Sequence, residues 1–245
     1  MTKLIIFDKD GVILDLEATW LPVARAVAHY TVSRVPDDYN GQISGAELMA
    51  AIGVDDNAGI IDQRGIFAAG SFSDIRDRWQ AMLPDNMIRL DQDAQYSQDV
   101  KDLVQLRGHQ NTVPKGDVKT PLLALYNAGY HLAILTNDNE ESARKSLVDL
   151  EVIDLFKVVM GANSGFGSKP DAQGLLQICH VVGVTPDQAI MVGDTMADYG
   201  AALAAKAGGF ICVADSFDNR AHPDINRSNV ISRIDQLPAM LAAQL

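Results

Sequence analysis

Short runs of apolar residues recur along the chain, and each ends in polar residues or glycine. The first covers residues 3–8 and has the sequence Lys-Leu-Ile-Ile-Phe-Asp. Comparable runs cover residues 131–136, 157–160, 189–193 and 209–213. An apolar run without alternation is typical of a parallel strand that is buried on both faces of its sheet. The pattern therefore predicts five strands of a parallel sheet.

Helical patterns lie between these strands, at about residues 139–150, 171–182 and 196–207. The first follows a cap segment that ends at Asn139, and acidic residues occupy its first turn. The second ends near Gly183, where glycine favours helix termination. Strands that alternate with helices predict an α/β fold with a parallel sheet covered on both faces.

The region between the first two strands breaks this alternation and is mainly helical. Ser44 begins a capping box, and Ser73 is a candidate N-cap. The predicted helices cover Glu17–Val32, Ser44–Ile52, Ser73–Met82 and Gln98–Arg107. We predict a smaller helical domain at residues 16–114, inserted into an α/β core domain formed by residues 1–15 and 115–245.

Composition and charge exclude several function classes. The net charge of −12 argues against a general nucleic-acid binder, which needs a basic face. No apolar run approaches the roughly 18 residues of a membrane span, and the N-terminus does not resemble a signal peptide. Cys179 and Cys212 fall in a predicted helix and a predicted strand, so we expect core thiols in a reduced, cytoplasmic protein.

Acidic residues follow two of the predicted strands. Asp8 and Asp10 are two residues apart, so both carboxylates share a face if the strand continues through them. Gly11 would then allow a sharp backbone turn. Asp194 and Asp198 have the four-residue spacing of one helix face. An acidic strand end followed by a turn, and an aspartate N-cap, are the plain structural alternatives.

Carboxylates that meet at one sheet edge need a partner of opposite charge. Ligands of parallel sheets collect beyond the carboxyl ends of the strands, where Asp8, Asp10 and Asp194 are expected. At about 4 Å and an effective dielectric of about 20, each pair of like charges costs roughly 4 kcal/mol. Three pairs cost about 12 kcal/mol, which is comparable to the stability of a whole domain. Oxygen ligands without nearby Cys or His indicate a hard cation, and we expect Mg²⁺.

Two further polar segments are candidates for binding an anion. Thr136 and Asn137 lie at a predicted helix N-terminus, where free N–H groups attract anions. Lys169 precedes a proline in a loop that also contains Gly165 and Gly167. The structural alternatives are an ordinary helix cap and a solvated loop lysine.

Four short motifs together resemble those of the haloacid dehalogenase superfamily. They are Asp8-Lys-Asp10-Gly, Leu135-Thr136-Asn137, Ser168-Lys169-Pro170 and Gly193-Asp194-Thr-Met-Ala-Asp198. Their order along the chain matches the family order, and each follows its expected element. The helical insert resembles the C1-type cap of phosphoglycolate phosphatase-like members. The resemblance implies an α/β Rossmann-like core, a helical cap, and hydrolysis of a small-molecule phosphomonoester.

The resemblance also implies a role for each motif residue. Asp8 would be the nucleophile that forms an aspartyl phosphate, and Asp10 the general acid and base. Thr136, Asn137 and Lys169 would bind the phosphoryl group.

The metal site implied by the resemblance consists of Asp8, Asp194 and the backbone carbonyl of Asp10, holding Mg²⁺. Asp198 would orient Lys169 or a metal-bound water. Lys9 departs from the family pattern, where an apolar or aromatic residue is commoner, and strand alternation predicts that its side chain faces away from the two acids.

Alternative functions stay open at this point. An acid two residues after the nucleophile favours phosphate-ester chemistry over dehalogenation, but a β-phosphoglucomutase-like sugar phosphomutase would use the same pair. A non-catalytic phosphate-binding protein is a third reading. Substrate contacts from the cap are expected at Trp20 and Arg64, with Glu17 and Thr19 as further candidates. We expect a small phosphate ester as the partner, no nucleic acid or membrane partner, and a monomer or homodimer.

Overall fold

The computed structural model describes residues 2–36, 43–62, 65–70, 72–83, 88–110, 112–214, 225–226 and 229–243. The strands are β1 (Leu4–Phe7), β2 (Val54–Asp55), β3 (Ile60–Ile61), β4 (His131–Leu135), β5 (Phe156–Met160), β6 (Ala189–Gly193), β7 (Gly209–Val213) and β8 (Val230–Ile231). The helices are α1 (Leu16–Ser33), α2 (Gly45–Ala51), α3 (Ile66–Ala69), α4 (Phe72–Gln80), α5 (Ala94–Gln110), α6 (Lys119–Asn127), α7 (Glu140–Asp149), α8 (Gln173–Val182), α9 (Met196–Ala204) and α10 (Leu237–Ala242).

Six of the described strands form one parallel sheet in the order β5-β4-β1-β6-β7-β8. The central strand β1 pairs with β4, starting with Leu4 opposite His131, and with β6, starting with Leu4 opposite Ala189. This confirms the predicted α/β fold class. The five predicted strands agree with the observed bounds to within one residue, and β8 adds a sixth.

The apolar runs are explained by burial on both faces of the sheet. In β1, Ile5 and Phe7 pack into an apolar cluster on one face, together with α6, α7 and α10. Leu4 and Ile6 pack on the other face, in a cluster that includes residues of α8 and α9. All four side chains are fully buried, so no polar position could be placed in the strand without loss of packing. Cys179 and Cys212 are buried free thiols, as predicted.

The described chain divides into two compact units. One contains Met1–Asp15 and Thr112–Leu245, and the other contains Leu16–Asn111. The second unit has its own apolar core around Trp79 and Tyr96, and it contains α1 to α5 and the antiparallel pair β2–β3. The predicted role of this unit as a cap stays a prediction.

Several local predictions need correction. Ser73 is not an N-cap, because the backbone is already helical at Phe72. The predicted helix at 196–207 ends at Ala204, and α6 was not predicted at all. The capping box at Ser44 is confirmed, since its hydroxyl accepts from the backbone N–H of Glu47 and the Glu47 carboxylate accepts from the N–H of Ser44. None of the described helices is both long enough and apolar enough to cross a membrane.

Candidate active site

The carboxyl ends of β1, β4 and β6 lie at one edge of the sheet because these strands are adjacent and parallel. Asp8 follows β1, Thr136 follows β4 and Asp194 follows β6. The three side chains are buried, with exposures of 6%, 3% and 4%. Polar groups buried at a strand end need partners, and their partners define the site.

Asp8 is held by hydrogen bonds from both sides of its strand end. Its backbone N–H donates to the carbonyl of Val192 at 2.8 Å. Its Oδ1 accepts from the backbone N–H of Lys9 at 2.7 Å and lies 2.7 Å from Nζ of Lys169. Burial raises the pKa of Asp8 to about 7, opposed by the charge of Lys169 and reinforced by the neighbouring acids Asp198 and Asp10.

Lys169 bridges two carboxylates. Its Nζ lies 2.7 Å from Oδ1 of Asp8 and 2.6 Å from Oδ1 of Asp198. Burial disfavours the ammonium, but the two acids more than offset that effect and raise the pKa of Lys169 above its ordinary value. The predicted loop lysine is therefore a buried cation that remains charged at neutral pH.

The backbone of Lys169 is fixed by Asn137. The Asn137 Oδ1 accepts from the Lys169 N–H at 2.8 Å, and the Asn137 Nδ2 donates to the Lys169 carbonyl at 3.1 Å. A side-chain amide that pairs with both the N–H and the C=O of one residue fixes the backbone on each side of that residue. The side chain of Asn137 thus contacts the lysine backbone, which leaves its backbone N–H as the group that could contact a phosphate.

Thr136 is buried at the end of β4. Its backbone N–H donates to Met160 at 3.0 Å, and its Oγ1 accepts from the N–H of Asp138 at 3.1 Å. A hydroxyl that accepts one hydrogen bond can still donate its own proton. Thr136 is therefore suited to donate to an anion beside Asp8.

Asp198 is held by a capping box at the start of α9. Asp194 precedes that helix, so the two acids do not share a helix face as predicted. The Oδ2 of Asp198 accepts from the N–H and the hydroxyl of Thr195, at 3.0 and 2.7 Å, in the capping box. Its Oδ1 faces Lys169, as described above. Both oxygens thus contact other groups of the site, and the positioning role of Asp198 stays a prediction.

Asp194 is the carboxylate that is short of partners. Within the described chain, no donor lies within hydrogen-bond distance of its buried Oδ1. Burial raises the pKa of Asp194 well above its ordinary value, and the charges of Asp8 and Asp198 add to that effect. Gly11 is required beside it, because a Cβ at Gly11 would lie 2.0 Å from Asp194 Oδ2.

Three carboxylates of the site lie close enough together to hold a cation. Carboxylate oxygens of Asp8, Asp194 and Asp198 lie within 4.8 Å of one another. Asp198 is already occupied by Lys169 and Thr195, so Asp8 and Asp194 are the available ligands. An all-oxygen donor set with an unpartnered buried carboxylate oxygen fits a hard divalent ion such as Mg²⁺.

The prediction for Lys9 is wrong. Its ammonium lies 3.1 Å from Oδ2 of Asp10 and 2.7 Å from Oδ2 of Asp138, instead of facing away from the acids. Regular strand geometry ends at Phe7, and a turn follows in which the Lys9 carbonyl accepts from Ile13 and Leu14. Alternation therefore does not apply beyond the strand. Sequence reasoning missed the Lys9–Asp138 pair, although the unusual lysine between two aspartates was a signal.

The candidate substrate residues of the helical unit, including Glu17 and Thr19, remain predictions. Trp20 is half-buried in α1 and packs against the apolar core of its own unit. Arg64 lies outside the described residues.

Sequence comparisons agree with the motifs. A model of the haloacid dehalogenase-like hydrolase family matches residues 2–206. The curated phosphoglycolate phosphatase of Pseudomonas putida KT2440 is 31% identical over 133 residues, which make up 54% of this chain and 48% of that protein. The chain spans about half the length of the curated relatives that it matches.

Solved structures show the same fold over nearly the whole chain. β-Phosphoglucomutase from Clostridium difficile aligns with a TM-score of 0.67 at 16% identity, covering 100% of this chain and 96% of that one. The magnesium-bound hydrolase YfnB from Bacillus subtilis aligns with a TM-score of 0.66 at 18% identity, covering 98% of each chain. With the family model matching most of its length, the chain belongs to the haloacid dehalogenase-like hydrolases.

Proposed function

We propose that this protein is a magnesium-dependent phosphatase that hydrolyses a small-molecule phosphomonoester through an aspartyl phosphate on Asp8. The observation that carries the proposal is the pairing of Asp8 with Lys169 beside Asp194, whose Oδ1 is buried without a hydrogen-bond partner in the described chain. A nucleophilic carboxylate, a fixed cation and an oxygen-rich metal site are the parts that phosphoryl transfer requires.

In the first step the Asp8 carboxylate attacks phosphorus, and the bond from phosphorus to the leaving oxygen breaks. Lys169 neutralises charge on Asp8 and on the phosphoryl oxygens. Thr136 and the backbone N–H of Asn137 donate to the same oxygens, since both lie at the N-terminal side of α7. Asp10 gives its proton to the leaving alcohol.

In the second step water attacks the aspartyl phosphate, and the bond between Asp8 and phosphorus breaks. Asp10, now ionised, accepts the proton of that water. Its side chain is 19% exposed, so it reaches solvent more readily than the fully buried acid Asp198. The cycle returns both carboxyls to their starting states.

Mg²⁺ would be held by the carboxylates of Asp8 and Asp194 and by the backbone carbonyl of Asp10, and it would supply positive charge for the phosphoryl oxygens. Its charge would also keep Asp8 ionised, although burial and the neighbouring acids, opposed by Lys169, raise the pKa of that group to about 7. The donor chemistry of the site and the magnesium-bound family member YfnB both support this choice of ion.

A small ester such as phosphoglycolate or a sugar phosphate is the proposed substrate class. The support comes from relatives named phosphoglycolate phosphatase, which match about half of this chain. We propose that the helical unit, including Trp20 and Arg64, sets the choice of leaving alcohol.

The test is release of inorganic phosphate from a panel of metabolite phosphates, measured with Mg²⁺ and again with excess chelator. We expect turnover with Mg²⁺ only. Asp8→Asn should be inactive, and Asp154→Asn, a change at an exposed acid of the same unit, should retain activity. Magnesium-independent turnover, or an active Asp8→Asn, would contradict the proposal. Isomer exchange without phosphate release would instead indicate a phosphomutase.

A further inference from the structure

Lys9 is a buried cation to which the proposed reaction assigns no part. Its side chain has 0% exposure, and it lies between two carboxylates that are about one-fifth exposed. The Asp138 contact, at 2.7 Å, is the shorter one, and the Asp10 contact is 3.1 Å. The Lys9–Asp138 ion pair joins the turn after β1 to the segment before α7.

Burying an ammonium is unfavourable unless its charge is fully compensated. Asp138, at 2.7 Å, compensates Lys9 whether or not Asp10 carries its proton, and Asp138 is in turn fixed because Asn139 donates its backbone N–H to Oδ1 at 2.7 Å. The anchor is therefore independent of Asp10. A lysine held from one side by Asp138 presents its ammonium to Asp10 from a fixed direction.

We propose that Lys9 is a positioning residue, anchored by Asp138, that holds the Asp10 carboxyl in the orientation needed for proton transfer. This inference rests on the function proposed above. With Oδ2 of Asp10 held by Lys9, the plane of the carboxyl is set and so is the direction of Oδ1. Catalytic proton transfer depends on such placement, because the acid must lie within hydrogen-bond reach of the reacting oxygen.

A purely structural role of Lys9 would have a different effect from a role in positioning Asp10. Loss of a residue that only stabilises the fold lowers activity equally for every substrate. Loss of Asp10 positioning affects only those steps in which Asp10 moves a proton. The leaving group of the first step separates the two cases, since p-nitrophenolate departs as a stable anion without a proton, whereas an alkyl alcohol needs one.

The experiment compares single-turnover formation of the aspartyl phosphate from 2-phosphoglycolate and from p-nitrophenyl phosphate, with Mg²⁺ present. For Lys9→Met we expect a loss of about 100-fold with 2-phosphoglycolate, which is the low end of what acid catalysis contributes. The loss with p-nitrophenyl phosphate should be several times smaller. Lys9→Arg should restore most of the 2-phosphoglycolate rate, because it restores the cation.

Two further variants keep the test decisive. Leu147→Ala opens a cavity in the same unit at a side chain with 0% exposure, and it should lower stability without changing the ratio of the two rates. If Lys9→Met does not fold, Asp138→Asn carries the test, since it removes the anchor and keeps the lysine. We expect the same selective loss, to a smaller extent.

Equal losses with both substrates, or a rate ratio like that of Leu147→Ala, would overturn the inference. So would a Lys9→Met variant with unchanged rates. Those results would leave the proposed function intact as long as the unmodified protein releases phosphate and Asp8→Asn does not. A protein that releases no phosphate from any ester would overturn both.

Discussion

Gly11→Ala is expected to disable the metal site by steric displacement of Asp194. Gly11 has a φ of +75°, and a Cβ there would lie 2.0 Å from Asp194 Oδ2. Ordinary contact begins at 3.4 Å, so the two atoms must separate by about 1.4 Å. A misplacement of about 1 Å at a catalytic site costs on the order of 100-fold in rate, and we expect at least that loss.

A second glycine isolates the backbone contribution. Gly183 has a φ of +81°, and a Cβ there would meet nothing within 4 Å. An alanine in this left-handed region costs about 1–2 kcal/mol of stability at either position. Gly183→Ala should therefore lose about this much stability while its rate of phosphate release stays unchanged.

The assay is phosphate release as a function of Mg²⁺ concentration, with urea unfolding of each variant measured in parallel. We expect Gly11→Ala to require more Mg²⁺ for half-maximal rate and to reach a lower plateau. A Gly11→Ala variant with the kinetics of Gly183→Ala would refute the argument that Asp194 must occupy this space.

Two other predictions concern pH and helix capping. In chelator, the free energy of unfolding should fall as pH rises from about 4 to about 7, because Asp8 keeps its proton in the folded state up to a pKa of about 7 and loses it near pH 4 when unfolded. Urea titrations of Asp8→Asn should show a weaker pH dependence, and an unchanged one would contradict this assignment. Thr195→Ala should cost about 0.5–2 kcal/mol and also slow phosphate release, because the hydroxyl of Thr195 holds Asp198. Ser44→Ala removes the equivalent capping box of α2 and should cost similar stability at an unchanged rate; equal kinetic effects of the two changes would argue against a positioning role for Asp198.

The strands could be predicted because their signal is local. Ala189–Gly193 and Gly209–Val213 agree with the prediction at both ends, since burial on both faces demands an unbroken apolar run. The residues that follow strand ends could be predicted for the same reason. Once β1, β4 and β6 are adjacent and parallel, Asp8, Thr136 and Asp194 must lie at one edge.

The partners within the site could not be predicted, because they depend on contacts between distant segments. The sequence predicts an anion ligand or a cap at Asn137, but its side chain pairs with the backbone of Lys169. Lys9 was placed by strand alternation, which fails because the strand has already ended at Phe7. Where a side chain points depends on whether the strand ends one or two residues earlier or later, and hydrophobic periodicity does not locate strand ends that closely.

The central claim is covalent catalysis by Asp8, and trapping the intermediate tests it most directly. Asp10→Asn should slow hydrolysis of the aspartyl phosphate and let it accumulate. The protein is mixed with p-nitrophenyl phosphate and Mg²⁺, quenched in acid, digested and analysed by mass spectrometry. We predict one phosphoryl group on the peptide that contains Asp8, and none in the Asp8→Asn, Asp10→Asn double variant. Turnover with no phosphoryl group on Asp8, or a phosphoryl group on another residue, would contradict the account.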